Sequence, residues 1–579
     1  MLSPSRVRMV FCVTVIAAVA TLQTTTNAMP QAPATTTTTE VARGVVFEDV
    51  NGNRQRDEGE PGIKDVKVSN GKEIVQTDAD GKYEIPASND CIVFVIKPRG
   101  WMTPLNANKL PQFYYIHKPE GSPANFRFPG VAPTGPLPAS IDFPLTKQDE
   151  PDQFRALLFG DTQPRNVKEV EYMTHDIIEQ IIAEEKHGAS LGITLGDVVF
   201  DDLTVFEPHN QAIALLGLPW YNVIGNHDIN YDAVDDKHSD ETFERYFGPS
   251  YYSFDYGTVH FLALDDVMWH GTTETKRGHY TGGLGPEQMD FIKKDLSLIP
   301  KDQLVVLLMH IPLMDVEDRR ELYRLIEQRP FALSVSAHTH FLQHHFIGEE
   351  DDFHGAQPHH HIVNVTVCGS WWRGATDEQG IPHATMSDGG PNGYSIISFD
   401  GTKYDLQFRA ARRPADHQMN IHMPEEIVSG EALTTAIVVN VFNGSKKSTA
   451  KYRILPDGAW RVMEQVNGVD PFYLEMKRLE ASATPPNGSP LPGPATTDHL
   501  WRAFLPATLP VGTHLIEVEA TDVNGKPHVD RQSIRVVENP RPAVINAATA
   551  TSTTGAAPSA NRPNGGPTRD SVGPRTRTR

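Results

Sequence analysis

Five short polar blocks in the middle of the chain carry residue types that hold metals. They are Gly160-Asp161-Thr162-Gln163, Gly196-Asp197, Gly225-Asn226-His227-Asp228, Met309-His310 and Ala337-His338-Thr339-His340. Carboxylate, amide and imidazole are hard-to-borderline oxygen and nitrogen donors, and no thiol stands among them. Such a donor set suits manganese, iron or zinc better than a soft metal.

Each block needs an element to hold it, and each follows an apolar run. Runs at 156–159, 191–195, 220–224, 260–264, 304–309 and 332–336 read as short buried strands. Val167, Val170, Met173, Ile177, Ile178, Ile181 and Ile182 recur at helical spacing, and Gly188 suits the residue just past a helix end. Alternating strands and helices predict a layered α/β domain. In open α/β sheets ligands collect beyond the carboxyl ends of the strands, where these blocks fall.

The flanks read differently. From about 41 to 145 short strands alternate with Gly, Asn and Asp turns, which predicts a small β sandwich. After about Thr402 strands return without helices, at 434–441, 450–454 and 514–520, and predict a second sandwich ending near 537. The resulting division is a signal peptide at 1–28 and a linker at 29–39, then an N-terminal β sandwich at 40–148. An α/β domain at 150–400 follows, then a C-terminal β domain at 401–538 and a disordered tail at 539–579.

The five ordered blocks resemble those of the calcineurin-like metallophosphoesterases, across roughly residues 154–399. The resemblance implies a core of β sheets flanked by helices and two divalent transition metals bridged by Asp197. Asp161, Asp197 and His340 would bind the first metal, with Gln163 an extra ligand or a contact to its water. Asp197, Asn226, His310 and His338 would bind the second. A hydroxide bridging the metals would then attack a phosphate mono- or diester. His227 would protonate the leaving oxygen, and Asp228 would orient that imidazole or serve as a loop hydrogen bonder. Gln163 stands where the family more often has histidine. Asp-x-Gln starts occur in relatives that cleave nucleotide diphosphate compounds with manganese, so manganese is the favoured metal. The same site would serve a nucleotide pyrophosphatase or a cyclic-nucleotide phosphodiesterase. A non-catalytic surface-binding protein is the reading from another class, and an intact donor set argues against it.

Beyond the last block, Trp371, Trp372, Arg373, Asn392 and Tyr394 lie in aromatic, Gly-rich sequence that either contacts substrate or packs as core and turn. The histidines at 344, 345, 354, 359, 360 and 361 are assigned a surface or supporting role rather than a metal, because alternate strand residues face opposite ways. In the first sandwich Asp49, Asn51, Asn53, Asp57 and Glu60 fall at loop positions 1, 3, 5, 9 and 12, the spacing of a calcium loop. Glycine stands at position 4 and Arg54 where glycine is usual, so a plain polar hairpin competes with calcium. This stretch resembles β-sandwich modules of bacterial surface proteins. It also resembles the domain that precedes secreted bacterial calcineurin-like phosphoesterases, whose three-domain plan the C-terminal β domain fits.

The ends set the expected location. Arg6 and Arg8 precede an apolar run from Met9 to about Leu22, then Thr26-Asn27-Ala28, which is the plan of a secretory signal peptide. No later run is long enough to span a bilayer, so the expected protein is secreted or periplasmic. Cys91 and Cys368 sit in apolar runs of different domains and are expected as buried free thiols. The formal charge of −21 is unevenly spread. The tail from Arg541 holds six Arg against one Asp and the first 28 residues hold two Arg, so residues 29–540 carry −28. That charge excludes a nucleic-acid-coating role. The expected partner is a small phosphate ester.

Overall fold

The computed structural model of the chain describes residues 40–273, 275–482 and 489–539. The expected signal peptide, linker and almost all of the tail lie outside the described residues. Among the described residues no helix is long and apolar enough to cross a membrane.

Two sheets form the core. The five-stranded sheet runs Trp220–Val223, Leu191–Leu195, Gln153–Phe159, Gly393–Asp400, Lys403–Ala410. Its first three strands are parallel, and the last two close it as an antiparallel hairpin. The six-stranded sheet runs Tyr252–Tyr256, Val259–Ala263, Leu304–Leu308, Ala332–Ser336, His359–Val363, Gln343–Ile347. Its inner four strands are parallel. Leu191–Leu195 and Leu304–Leu308 are buried at every residue, as strands covered on both faces must be. A single parallel bridge, Gly160 to Thr366, ties the sheets where the polar blocks emerge.

Helices pack outside the sheets. Val167–Met173 continues through a π turn at Thr174–Ile178 into Glu179–Ala183. The helix stops short of Gly188, because Glu185, Lys186 and His187 already take left-handed conformations.

The domain boundary at 400 needs correction. Lys403–Ala410 pairs along its length with Gly393–Asp400, so the core sheet extends to about 410. An Asp400–Lys403 hairpin turn resembles an interdomain linker in sequence, and only the pairing partner tells them apart. The C-terminal domain has two sheets, of four and five strands. It also has a helix, Pro471–Ala481, where none was expected. Asp470 caps that helix, its side chain accepting from Tyr473 N at 2.7 Å.

Both outer domains are bolted to the core through buried polar groups. From the N-terminal sandwich, Lys97 Nζ reaches Glu150 Oε1 at 2.6 Å and donates to Asp255 O at 2.7 Å. Lys118 Nζ meets Glu241 and Glu244 of a core helix, each at 2.7 Å. From the C-terminal domain, His499 contacts Asp388 Oδ2 at 3.1 Å and Asn440 Oδ1 at 2.8 Å. Asn440 Nδ2 in turn donates to Asp388 O and to Asp470 Oδ2, each at 2.9 Å. Among the described residues no disulfide joins the domains: Cys91 is half-buried and Cys368 fully buried, both as free thiols.

Candidate metal centre

All five polar blocks emerge at carboxyl ends of neighbouring strands, so the fold gathers them at one edge of the two sheets. The turns are tight. A Cβ on Gly196 would lie 2.4 Å from His310 Nδ1, and one on Gly225 would lie 2.0 Å from Asp197 N. Five donor-bearing residues also adopt left-handed φ: Asp161 (30°), Gln163 (41°), Asp197 (49°), His338 (68°) and His340 (58°). Each such residue costs roughly 1–3 kcal/mol, and strain of this kind persists where a site requires it.

Asp161, Asp197 and His310 are fully buried, and Asn226 and His340 nearly so. One ligand atom each from Asp197, His310 and His338 lies within 4.8 Å of the other two. His310 Nε2 is 3.3 Å from Asp197 Oδ1, 3.1 Å from Asn226 Oδ1 and 3.1 Å from His338 Nδ1. His340 Nε2 lies 3.0 Å from Asp161 Oδ2. Yet that oxygen makes no well-formed hydrogen bond.

These contacts fit a cation. His310 Nδ1 lies 2.9 Å from Leu195 O, and His340 Nδ1 2.6 Å from Gly369 O. Donation to a carbonyl fixes each Nδ1 as the protonated nitrogen, so each Nε2 aims a lone pair at carboxylate oxygen. Such arrangements repel unless a positive charge lies between. Without a metal, a proton must serve. Burial disfavours charge on His310, but Asp197 beside it raises its pKa to about 10. Burial, and then the His310 charge, hold His338 down to about 3.

Gln163 does not offer its oxygen to this centre. Its Nε2 donates to Asp197 Oδ2 at 2.7 Å, and its Oε1 accepts from Trp371 Nε1. The side chain holds the Asp197 carboxylate through its amide N–H, while Trp371, distant in sequence, donates to its carbonyl.

His227 sits at the rim, stacked on Phe200 at 4.4 Å. Asp201, not Asp228, holds it, with Nδ1 to Oδ1 at 2.5 Å. Asp228 is fully buried and accepts from Val198 N, Val199 N and Gly225 N at 2.8–3.0 Å. It therefore ties two ligand loops together, the loop-bonding alternative. Burial opposes a charge on His227, and Asp197 and Asp201 outweigh it and raise the pKa. The Asp197–Asp201 spacing was the signal for this partner. Tyr231, whose hydroxyl donates to Asn226 O at 2.7 Å, left no such signal.

The downstream aromatic loop divides. Trp371 packs against His340 with ring centroids 4.1 Å apart and tilted by 39°, and the Arg373 guanidinium lies 4.9 Å from the Trp371 ring. Arg165, absent from the sequence expectations, donates to Trp371 O at 2.9 Å. Trp372, Asn392 and Tyr394 are not at the centre. Trp372 and Asn392 donate to buried Asp176. Tyr394 is core, its hydroxyl 2.7 Å from His187 Nε2. Strand and loop direction decided each case.

Of the histidines expected in a surface or supporting role, His344, His359 and His361 are buried, and His354 is exposed.

In the N-terminal loop Asp49 accepts from the N–H groups of Gly52, Asn53 and Arg54, and Glu60 from those of Val50 and Asp57. Asn51 and Asn53 turn their Nδ2 groups onto Asp57 Oδ2, each at 2.7 Å. The five side chains do converge, closed by hydrogen bonds. A second acidic group, Asp90, His238 and Glu241, lies between the N-terminal sandwich and the core. The Lys118 ammonium already pairs with its Asp90 and Glu241. Neither of two large cavities, about 770 and 540 Å³, is lined by the five blocks.

Three family models match the chain in succession. The N terminal of Calcineurin-like phosphoesterase covers 48–132, Calcineurin-like phosphoesterase covers 154–342, and the C terminal of Calcineurin-like phosphoesterase covers 361–528. The last begins inside the core, at the strand His359–Val363, so it spans the hairpin and the C-terminal domain together. No curated protein matches the chain. Among solved structures, a dimetal phosphatase from Danio rerio is 11% identical with a TM-score of 0.32, covering 45% of this chain and 97% of its own. A purple acid phosphatase from yellow lupin (Lupinus luteus) seeds is 15% identical with a TM-score of 0.33, covering 60% and 67%. Likeness of that degree supports no statement about this protein.

Proposed function

Because this chain is a member of the calcineurin-like metallophosphoesterase family, with separate N- and C-terminal domains, we propose that it is an exported enzyme that hydrolyses a small phosphate mono- or diester with two divalent transition metals, manganese favoured. The observation that carries this reading is the meeting of Asp197, His310 and His338 beside the buried Asp161–His340 pair. Asp161, Asp197 and His340 would hold one metal, and Asp197, Asn226, His310 and His338 the other. When bound, such cations withdraw charge from phosphoryl oxygens and lower the pKa of water. Gln163 and the His227 N–H fix the two Asp197 oxygens. His227, aligned through Nδ1 by Asp201, presents Nε2 to the leaving oxygen and protonates it. Trp371, packed against His340, and Arg373, beside the Trp371 ring, would receive the organic part of the substrate and its remaining charge.

The test is a substrate screen on the purified manganese-loaded protein. Mono- and bis-p-nitrophenyl phosphate, ADP-ribose, cyclic AMP and sugar phosphates are offered, and products are resolved by chromatography. Hydrolysis of at least one ester, with two metals per chain, is expected. No hydrolysis of any would leave the protein a binding module. Export rests on the charged start and apolar run at 1–28. A chain lacking those residues should stay in the cytoplasm, whereas its export unchanged would refute the signal.

Calcium belongs, on the same footing, to the loop of Asp49, Asn51, Asn53, Asp57 and Glu60, whose two amides would turn their oxygens inward. Millimolar calcium should raise the melting temperature of the N-terminal sandwich, and Asp49→Ala should remove the effect. An equal shift in both proteins would assign the loop to the plain hairpin.

A further inference from the structure

Trp371 reaches the metal centre on a loop with a strained backbone. Gly369, Trp371, Trp372 and Gly374 all take left-handed φ, of 52°, 60°, 45° and 108°. Glycine adopts that region freely. A tryptophan there is strained, and such strain persists only where surrounding contacts over-determine it. The core holds the first part of the loop. Cys368 N donates to Asp161 O at 3.1 Å, Arg165 Nη2 to Trp371 O at 2.9 Å, and Trp372 Nε1 to Asp176 Oδ2 at 3.0 Å.

The far end is held by the C-terminal domain. Gly374 N donates to Ser489 O at 3.1 Å, and Ala495 N donates to Ser387 O at 2.9 Å. A Cβ on Gly374 would lie 3.4 Å from the buried Leu491 side chain. Residues 489–495 thus lie as a strap across the loop. Helix Pro471–Ala481 grips the strap in turn. Lys477 Nζ donates to Leu491 O at 2.7 Å and to Pro492 O at 2.8 Å. The Tyr473 hydroxyl donates to Pro492 O at 3.0 Å, and the Glu480 carboxylate accepts from Leu491 N at 3.0 and 3.1 Å. Met476 of the same helix takes Thr385 Oγ1 at 3.7 Å, and Ser370 Oγ, beside Trp371, donates to Thr385 O at 2.5 Å.

We propose that the C-terminal domain completes the metal site: its strap, locked by Lys477, holds the loop in which Trp371 stands against His340 and Gln163. Lys477 is then a positioning residue that acts through Trp371. A loop strained at two tryptophans relaxes when either anchor is released, and a displaced Trp371 leaves the His340 ring and the Gln163 carbonyl. The core supplies one anchor and the C-terminal domain the other. Side chains that must stand within about 0.5 Å of a productive position need such support. The kinetic consequence rests on the phosphoesterase reading, and the anchoring itself does not.

Two measurements on the manganese-loaded full chain test this. Hydrogen exchange of the loop amides 368–374 needs no substrate. Lys477→Met keeps most of the side-chain stem and removes the donors, so it should speed that exchange at least tenfold. Lys477→Arg should restore most of the protection. Tyr473→Phe, which adds no bulk, should act in the same direction as Lys477→Met. The second measurement is a double-mutant cycle with Trp371→Ala, on kcat/KM for whichever p-nitrophenyl ester the protein hydrolyses. Lys477→Met should lower kcat/KM at least fivefold with Trp371 in place and less than twofold in the Trp371→Ala background. Exchange at 368–374 unchanged in both Lys477→Met and Tyr473→Phe, or an equal kinetic loss in both Trp371 backgrounds, would overturn the proposal. A wild type that hydrolyses no phosphate ester refutes the reaction and leaves the exchange result to decide the anchoring, so the two readings fail separately.

Discussion

Replacing Asp197 by alanine is expected to lower kcat/KM by roughly 10³-fold or more, about 4 kcal/mol of transition-state stabilisation. The loss follows from how many groups converge on this carboxylate. Oδ1 accepts from His227 N at 2.8 Å and faces His310 Nε2 at 3.3 Å, and Oδ2 accepts from Gln163 Nε2 at 2.7 Å. Alanine removes the negative charge shared by both proposed metals. It also strands a buried amide and a backbone N–H, and releases the loop that carries His227. Metal content should fall from two per chain to one or none, and phosphate affinity at the centre with it. The whole-chain charge makes this severe: residues 29–540 carry −28, so only bound cations render the pocket locally positive. Measurements are steady-state kinetics on the best ester from the screen and metal analysis after dialysis. Activity within tenfold of wild type, or two metals retained, would contradict the assignment of Asp197 as the bridging ligand.

Acid should destabilise the fold steeply through a block of neutral histidines on two adjacent strands. His344, His359, His360 and His361 lie on Gln343–Ile347 and His359–Val363 and on no proposed metal. Ser334 Oγ sits 2.7 Å from both His359 Nε2 and His361 Nδ1. His344 Nδ1 is 3.0 Å from His360 Nε2, and its Nε2 is 2.8 Å from Asn443 Oδ1 of the C-terminal domain. Burial, the largest cause in each case, pushes His344 down to about 4, His359 to about 3 and His360 to about 2, and holds His361 well below the unfolded value near 6.5.

The folded pKa values are depressed, so between them and about 6.5 the unfolded chain binds more protons than the folded one. Stability is full above pH 6.5 and falls as pH drops below it, by about 1.4 kcal/mol per pH unit for each such histidine. For four groups that is about 8 kcal/mol between pH 7 and 5, comparable with the whole stability of many domains. Buried acids oppose this. Burial raises Asp240 to about 7, and raises Glu244 and Asp265 well above the usual carboxylate range, so their protonation favours the fold at low pH. The decisive quantity is therefore a difference in slope. His359→Gln keeps an N–H or carbonyl near Ser334 Oγ and cannot titrate. Its stability, from urea unfolding between pH 7 and 5, should fall less steeply than wild type by about 1 kcal/mol per pH unit. Parallel curves would mean that His359 does not hold its neutral form in the fold.

Which donor residues gather at the candidate site was legible in the polar blocks that end the strands, whereas the partners of each side chain there depend on the packing of distant segments. Strand runs and the polar blocks that end them are local patterns, written in burial and turn chemistry. Asp161, Asp197, Asn226, His310, His338 and His340 could therefore be collected at strand ends without knowing how the strands pair. Orientation is not local. The Gln163 amide faces Asp197 because Trp371, more than 200 residues away, donates to its carbonyl. Asp201, and not Asp228, stands beside His227 because Asp228 is buried against two backbone N–H groups of the neighbouring loop and one of its own. Lys403–Ala410 joined the core because its hydrogen bonds go to Gly393–Asp400, a choice that strand propensity cannot express. Periodicity reports whether a side chain is buried; which partner satisfies it depends on contacts between segments far apart in the chain.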